Sequence, residues 1–262
     1  MTSDRRGAQR GERYTPFLPG RTLVLGHRGA SADAPENTLA AFRLAIAQGA
    51  DGVELDAWRC ASGEVVVAHD EDLQRVGGSP LRLPDTSLRE LRAVDVGAWK
   101  GARFRGERVP LLAEVFEALP GALVNVELKS RGGRDLGLAH AVAEVIHRAR
   151  AEARVVVSSF DWRLVAAFRV VSPDVPTGLL FDGSRAWRLR LWAGIRSLRP
   201  AAVHPDEALA TDARVRAWTA DGLAVNVWTV DDPARAARLA HTGAASVITN
   251  DPAAVRRAIP RG

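Results

Sequence analysis

Short apolar, β-branched runs alternate along most of the chain with longer stretches whose apolar residues recur at helical spacing. The runs are Thr22–Leu25, Gly52–Ala57, Leu123–Leu128, Val155–Ser158, Thr177–Phe181, Ala202–His204, Ala224–Trp228 and Ser246–Thr249. Helical patterns fill most of the gaps, at Thr38–Gln48, Leu136–Arg150, Trp162–Val171, Asp212–Ala220, Pro233–His241 and Pro252–Ile259. Such alternation predicts parallel strands joined by crossover helices. Eight units in about 240 residues match the count and size of a (β/α)8 TIM barrel. An open doubly wound sheet is the rival arrangement.

One interval breaks the rhythm. It begins with a hairpin-like extension, Arg59–Ala68, turning at Ser62-Gly63, and continues through a Gly/Pro-rich stretch, Val76–Pro84. A short helix over Ser87–Ala93, a loop over Gly97–Pro110 and a helix over Leu111–Leu119 complete it. The pattern predicts a small insertion after the second strand, at about 70–110, within a single barrel domain over 21–262. Loops of this kind in barrels lie at the C-terminal face, where substrates bind. Residues 1–20 are polar, rich in Arg and Gly, and lack the apolar core of a secretory signal. They read as a flexible tail, and a cytoplasmic location is expected.

Composition removes several classes. With 47% hydrophobic and 26% charged residues the 262-residue chain has ample material for a core. A lone cysteine, Cys60, excludes a disulfide scaffold. No stretch reaches 18 consecutive apolar residues, so no stable membrane insertion is expected. The net charge is +5, and every basic residue other than Lys100 and Lys129 is arginine. Acids are interspersed throughout, so nucleic acid is not the expected partner, whereas an anionic small molecule suits the mild positive excess.

The chemistry concentrates at strand ends. In the second run, period two places Glu54 and Asp56 on one face and Val53, Leu55 and Ala57 on the other. If the apolar side meets the helices, two carboxylates face the barrel interior, where like charges repel unless a cation lies between them. Solvated acids on a surface strand are the alternative. The third run repeats the device with Asn125, Glu127 and Lys129. Carboxylate oxygens suit Mg²⁺ or Ca²⁺ rather than zinc, and Lys129 suits a phosphate oxygen; a plain Glu127–Lys129 ion pair also fits. The first run leads into His27-Arg28-Gly29, where Gly26 and Gly29 allow a close turn. Another apolar run ends in His69-Asp70. Histidines at strand ends suit acid/base work near neutral pH, though His27 fits a structural role equally well. Pro35-Glu36-Asn37-Thr38 reads as a helix start capped by Asn37 or Thr38.

In this order His27-Arg28-Gly29, Pro35-Glu36-Asn37-Thr38, Glu54-Leu55-Asp56, His69-Asp70 and Glu127-Leu128-Lys129 resemble the signature of the glycerophosphodiester phosphodiesterase family. Ser158-Ser159-Phe160, Val227-Trp228-Thr229 and Thr249-Asn250-Asp251-Pro252 continue the likeness, which spans about residues 22–258. The resemblance implies a (β/α)8 barrel with a small insertion after the second strand. It implies an acid/base pair, His27 and His69. It implies one divalent cation, Mg²⁺ or Ca²⁺, on Glu54, Asp56 and Glu127. Arg28 and Lys129 match the phosphate-holding groups and Trp228 an aromatic at the substrate mouth. The implied reaction is metal-dependent hydrolysis of a small-molecule glycerophosphodiester to glycerol 3-phosphate and an alcohol. Attack by the neighbouring glycerol hydroxyl would give a cyclic phosphate that water then opens. Trp58 and Val76 depart from the family pattern.

Two further readings remain. One is a lysophospholipase D with an apolar groove built from Trp58, Trp99, Trp187 and Trp192. The other is a catalytically silent barrel that binds phosphorylated ligands. Outside the motifs the other four histidines read as structural or exposed: His140 and His147 share a helix face, His204 ends a strand with a pocket-lining place as the alternative, and His241 reads as a helix-end residue. Ala186–Trp192 reads as an amphipathic barrel helix, with contact to a lipid surface as the alternative. The sequence does not fix an oligomeric state.

Overall fold

The computed structural model describes residues 20–129, 135–183 and 198–261. Its strands, in chain order, are β1 (Leu23–His27), β2 (Gly52–Arg59), β3 (Val65–Val67), β4 (Asp72–Leu73), β5 (Ser79–Arg82), β6 (Leu123–Leu128), β7 (Val155–Ser159), β8 (Thr177–Phe181), β9 (Ala202–Pro205), β10 (Ala224–Val227) and β11 (Ser246–Thr249). Eight of these, β1, β2 and β6 to β11, run parallel and close on themselves through the β1–β2 and β1–β11 pairings. Closure makes this a TIM barrel and rules out the open sheet. The runs read from the sequence match the strands to within a residue or two. One difference matters: β1 extends through Gly26 to end on His27.

The helices are α1 (Leu39–Ala47), α2 (Gln74–Gly77), α3 (Leu88–Leu91), α4 (Leu112–Ala118), α5 (Gly137–Arg148), α6 (Trp162–Val171), α7 (Asp212–Ala220), α8 (Pro233–Thr242) and α9 (Pro252–Ala258). Their starts have local causes. Thr38, Asp161, Thr211, Asp232 and Asp251 each cap a helix by accepting a backbone N–H, and Pro233 and Pro252 sit at first helical positions. The outward faces of β2 and β6 (Val53, Leu55, Ala57, Val124, Val126, Leu128) pack with Leu112, Leu138, Val142 and Ile146 of the helices. A second apolar cluster around Val203, Val225 and Val247 serves the other half. Leu23, Leu25, Val156, Ala202, Ala224 and Ile248 form a third, packed inside the barrel. Apolar residues thus occupy the outward side of the strands and part of the interior, and the remaining inward positions are free for polar groups.

Between β2 and β6 lies the insertion. β3 pairs antiparallel with the end of β2, and β4 and β5 form a small ribbon. Trp58, Cys60, Val66, Leu73, Leu83, Leu91, Val96 and Val109 give it a core of its own. Trp58 is therefore packed inside the insertion and is not a wall of a lipid groove. No helix among the described residues is long and apolar enough to cross a membrane. The N-terminal segment 1–19 and the stretch Ala186–Trp192, with Trp187 and Trp192, lie outside the described residues.

Candidate active site

Strand register assembles the acids. His27 of β1 lies opposite Glu54 of β2, and Asp56 of β2 lies opposite Glu127 of β6. Adjacent strands are under 5 Å apart, so side chains on the interior face at one level must meet. Glu54, Asp56 and Glu127 are all buried, and each offers an oxygen within 4.8 Å of the others. They are the one such group of three His, Cys, Asp or Glu among the described residues. An all-oxygen, buried, triply acidic donor set fits a hard divalent cation.

Two cations already lean on the triad. Lys129 Nζ lies 3.1 Å from Asp56 Oδ1 and 3.1 Å from Glu127 Oε1. Arg28 approaches from the other end of the motif set, its Nε 3.4 Å from Asp56 Oδ2 and its backbone N–H donating to Glu54 Oε2 at 3.1 Å. The backbone pays for this aim: Arg28 adopts φ 56°, a left-handed conformation costing about 1–2 kcal/mol in a residue with a side chain. Gly29 follows at φ 87°, and a Cβ there would lie 2.6 Å from the Ala41 carbonyl carbon. No other residue type fits that approach of loop to helix α1.

Burial sets the ionisation of the triad. It raises the Glu54 carboxyl well above its usual range, and repulsion from Asp56 and Glu127 adds to this. It also pushes Glu127 up to about 7 against the pull of Lys129. Burial acts on Asp56 in the same sense, but Lys129 and Arg28 outweigh it and hold this carboxyl below the usual range. The same two acids, Asp56 and Glu127, overcome burial at Lys129 and raise its pKa.

Each histidine is held by Nδ1. Asp70 Oδ1 lies 2.8 Å from His69 Nδ1, which places the proton on Nδ1 and leaves Nε2 with the lone pair. At His27 the partner is Asn250 Oδ1, at 2.8 Å. Asn250 Nδ2 donates to Asp231 Oδ2 at 2.7 Å, so the amide oxygen must face His27 and the ring proton again sits on Nδ1. His27 Nε2 then lies 4.0 Å from Glu54 Oε2. Burial lowers the pKa of both rings, helped by Arg28 at His27 and resisted by Asp56 at His69. Trp228, half-buried beyond β10, donates through Nε1 to the His204 carbonyl and meets Phe160 edge to face.

Several residues take roles the local sequence did not show. Of the two candidate caps, Thr38 caps α1. Asn37, at φ 57°, instead donates to Asp56 Oδ2 at 2.8 Å. Glu36 accepts from both Arg28 and Arg75. The nearest signal was their place in the Pro35–Thr38 motif. His204 takes the structural place read for it and not the pocket-lining alternative. It is fully enclosed inside the barrel, where Asn226 Nδ2 donates to its Nε2 and Gly178 leaves room for its ring. Burial lowers its pKa to about 3, so it is neutral. His140 is exposed, His147 pairs with Glu152, His241 bonds the Ala237 carbonyl at its helix end, and Cys60 donates to Glu64.

The glycerophosphoryl diester phosphodiesterase family model matches residues 27–254. A glycerophosphodiester phosphodiesterase of Caldanaerobacter subterraneus is 33% identical over 246 residues, covering 92% of this chain and 99% of the relative. The human lysophospholipase D relative is 32% identical over 167 residues, 62% of this chain and 52% of its own length. Among solved structures, an Oleispira antarctica phosphodiesterase in complex with the product sn-glycerol-3-phosphate superposes with TM-score 0.85 at 29% identity, covering 94% of this chain and 99% of that one. With so much of the chain matched, it belongs to the glycerophosphoryl diester phosphodiesterase family and is a phosphoric diester hydrolase.

Proposed function

We propose that the chain hydrolyses water-soluble glycerophosphodiesters to glycerol 3-phosphate and an alcohol, with His27 and His69 as the acid/base pair. The observation that carries this is the buried triad of Glu54, Asp56 and Glu127, flanked by imidazoles whose Nδ1 atoms are both engaged. In this reading one Nε2 takes the proton of the attacking oxygen as the new P–O bond forms. The other ring, carrying a second proton on Nε2 as the imidazolium, gives that proton to the departing alcohol as the old P–O bond breaks and is left neutral with Nδ1–H still bonded to its partner. Each transfer contributes about 10²–10⁴-fold. Glu54, Asp56 and Glu127 would hold one divalent cation, Mg²⁺ or Ca²⁺, which when bound polarises the non-bridging phosphate oxygens. Arg28 and Lys129 supply fixed positive charge for the same oxygens, and Trp228 borders the mouth.

The product named for the Oleispira antarctica structure, sn-glycerol-3-phosphate, supports the glycerol arm of the substrate. The human relative favours a second reading, lysophospholipase D activity. The groove that reading needs loses Trp58 to the insertion core, and Trp99 stands exposed on a short turn. Glycerophosphocholine and lysophosphatidylcholine assayed side by side, with Mg²⁺ or Ca²⁺ restored to stripped protein, test both. Release of glycerol 3-phosphate from the former is expected. Turnover of the lysolipid alone overturns the substrate assignment, and tight binding of both without turnover overturns the enzymatic one.

A further inference from the structure

The guanidinium of Arg75 has all three of its nitrogens on carboxylates. Nε donates to Asp70 Oδ2 at 2.7 Å, while Nη1 and Nη2 donate to Glu36 Oε2 and Oε1, each at 2.7 Å. Those carboxylates stand on separate parts of the chain. Asp70 follows β3 in the insertion and holds the Nδ1 of His69. Glu36 precedes α1 and accepts from Arg28 Nη1 at 2.9 Å, and Arg28 reaches Asp56 of the triad. A continuous path therefore runs His69–Asp70–Arg75–Glu36–Arg28–Asp56 and joins the insertion to the barrel rim. The His69 backbone has its own support, its carbonyl accepting from the buried Trp58 indole at 3.4 Å. The ring is steered through Asp70, and Asp70 through Arg75.

We infer that Arg75 is a positioning residue for the reaction, anchored on Glu36 at the barrel rim and aiming the His69 imidazole through Asp70. The inference rests on the assignment of His69 to acid/base chemistry. Two features argue that the contact serves geometry more than stability. The Arg75 side chain is 45% exposed, and exposed ion pairs add little to folding. A planar fork satisfied on both edges by two carboxylates nonetheless fixes direction, which a lysine cannot reproduce. Asp70, one step behind the ring, is a partner of the kind typically worth about 10–100-fold in activity, and Arg75 acts through it.

The test is turnover of glycerophosphocholine by Arg75→Met, Arg75→Lys, Asp70→Asn and the Asp70→Asn/Arg75→Met pair, in protein loaded with Mg²⁺. Both arginine variants should lose about 10–100-fold in kcat with KM and melting temperature nearly unchanged. Millimolar guanidinium should restore part of the rate to Arg75→Met and none to His69→Ala. The double variant should be no slower than Asp70→Asn, because both act on one ring. Wild-type kcat in Arg75→Met overturns the inference, as does a loss that tracks unfolding and ignores guanidinium, or an added loss in the double variant. Failure of the underlying assignment shows separately, as a wild-type protein that releases no glycerol 3-phosphate or a fully active His69→Ala.

Discussion

Glu127→Gln probes the triad without disturbing its shape. Glutamine keeps the size of the side chain and still accepts from Lys129, but it does not titrate. Glu127 is 7% exposed, and its pKa is pushed up from 4.5 to about 7. A carboxyl that holds its proton more tightly in the folded state stabilises the fold when protonated. With no divalent cation present, that contribution is intact below about pH 4.5 and is lost as pH rises through 7. The shift corresponds to about 3 kcal/mol in full, of which about 2–3 kcal/mol falls between pH 5 and pH 8. Wild type should therefore lose that much stability relative to Glu127→Gln across the interval, measured by urea unfolding in EDTA at pH 5, 6, 7 and 8 with m-values held equal. Trends from histidines common to both proteins cancel in the difference, whereas the variant also frees Glu54 from the repulsion of Glu127 and so enlarges it. Adding Mg²⁺ or Ca²⁺ at pH 8 should reverse the order, because binding stabilises the ionised wild-type triad by mass action. Release of the Glu127 proton, and of the Glu54 proton beside it, should make the wild-type affinity at least about tenfold higher at pH 8 than at pH 6. A stability difference that stays level across this pH range refutes the buried, strained triad.

Other consequences are simpler to measure. His27→Ala and His69→Ala should each lower kcat by at least about 10²-fold with unchanged far-UV circular dichroism, and near-normal turnover in either removes it from the acid/base pair. EDTA should abolish activity and Mg²⁺ or Ca²⁺ restore it; full activity in excess chelator contradicts a cation on the triad. The lowered pKa of His204, about 3 against 6.5, means the unfolded chain takes up its proton first as pH falls. Stability from this group is whole above pH 6.5 and about 2 kcal/mol poorer at pH 5 than at pH 7; His204→Gln should remove that slope, and an unchanged slope disproves its burial as a neutral ring. Gly29→Ala, forced to φ 87° with its Cβ against the Ala41 backbone, should cost about 2–4 kcal/mol, read as a lower urea midpoint.

Much of this site was legible because strand periodicity carries a face. Glu54 and Asp56 share one side of β2, and Asn125, Glu127 and Lys129 share one side of β6, so their convergence needed only the barrel to close. Depth was not legible. Period two says that His204 points inward, but the stagger between strands sets its level, and that level is inside the barrel. Glu36 and Asn37 were hidden for a different reason. Their segment is a good local helix start, and only the left-handed turn at Asn37 swings its amide onto Asp56. Arg75 reads as one arginine among many until its partner Glu36, 39 residues earlier, is brought beside it.

The order of apolar runs, the acid alternation and the capping residues determined the barrel and the insertion and put the acids on one face, while the resemblance of the ordered motifs to a family marked the five residues expected to do chemistry. These are local properties, written into neighbours two to four positions apart. Only the closed sheet decided which cations neutralise which acids, which atom of each imidazole is tied down, and which histidine is sealed in the interior. Those outcomes depend on register and stagger between strands far apart in the chain, and on the cost of confining charge where water cannot reach it.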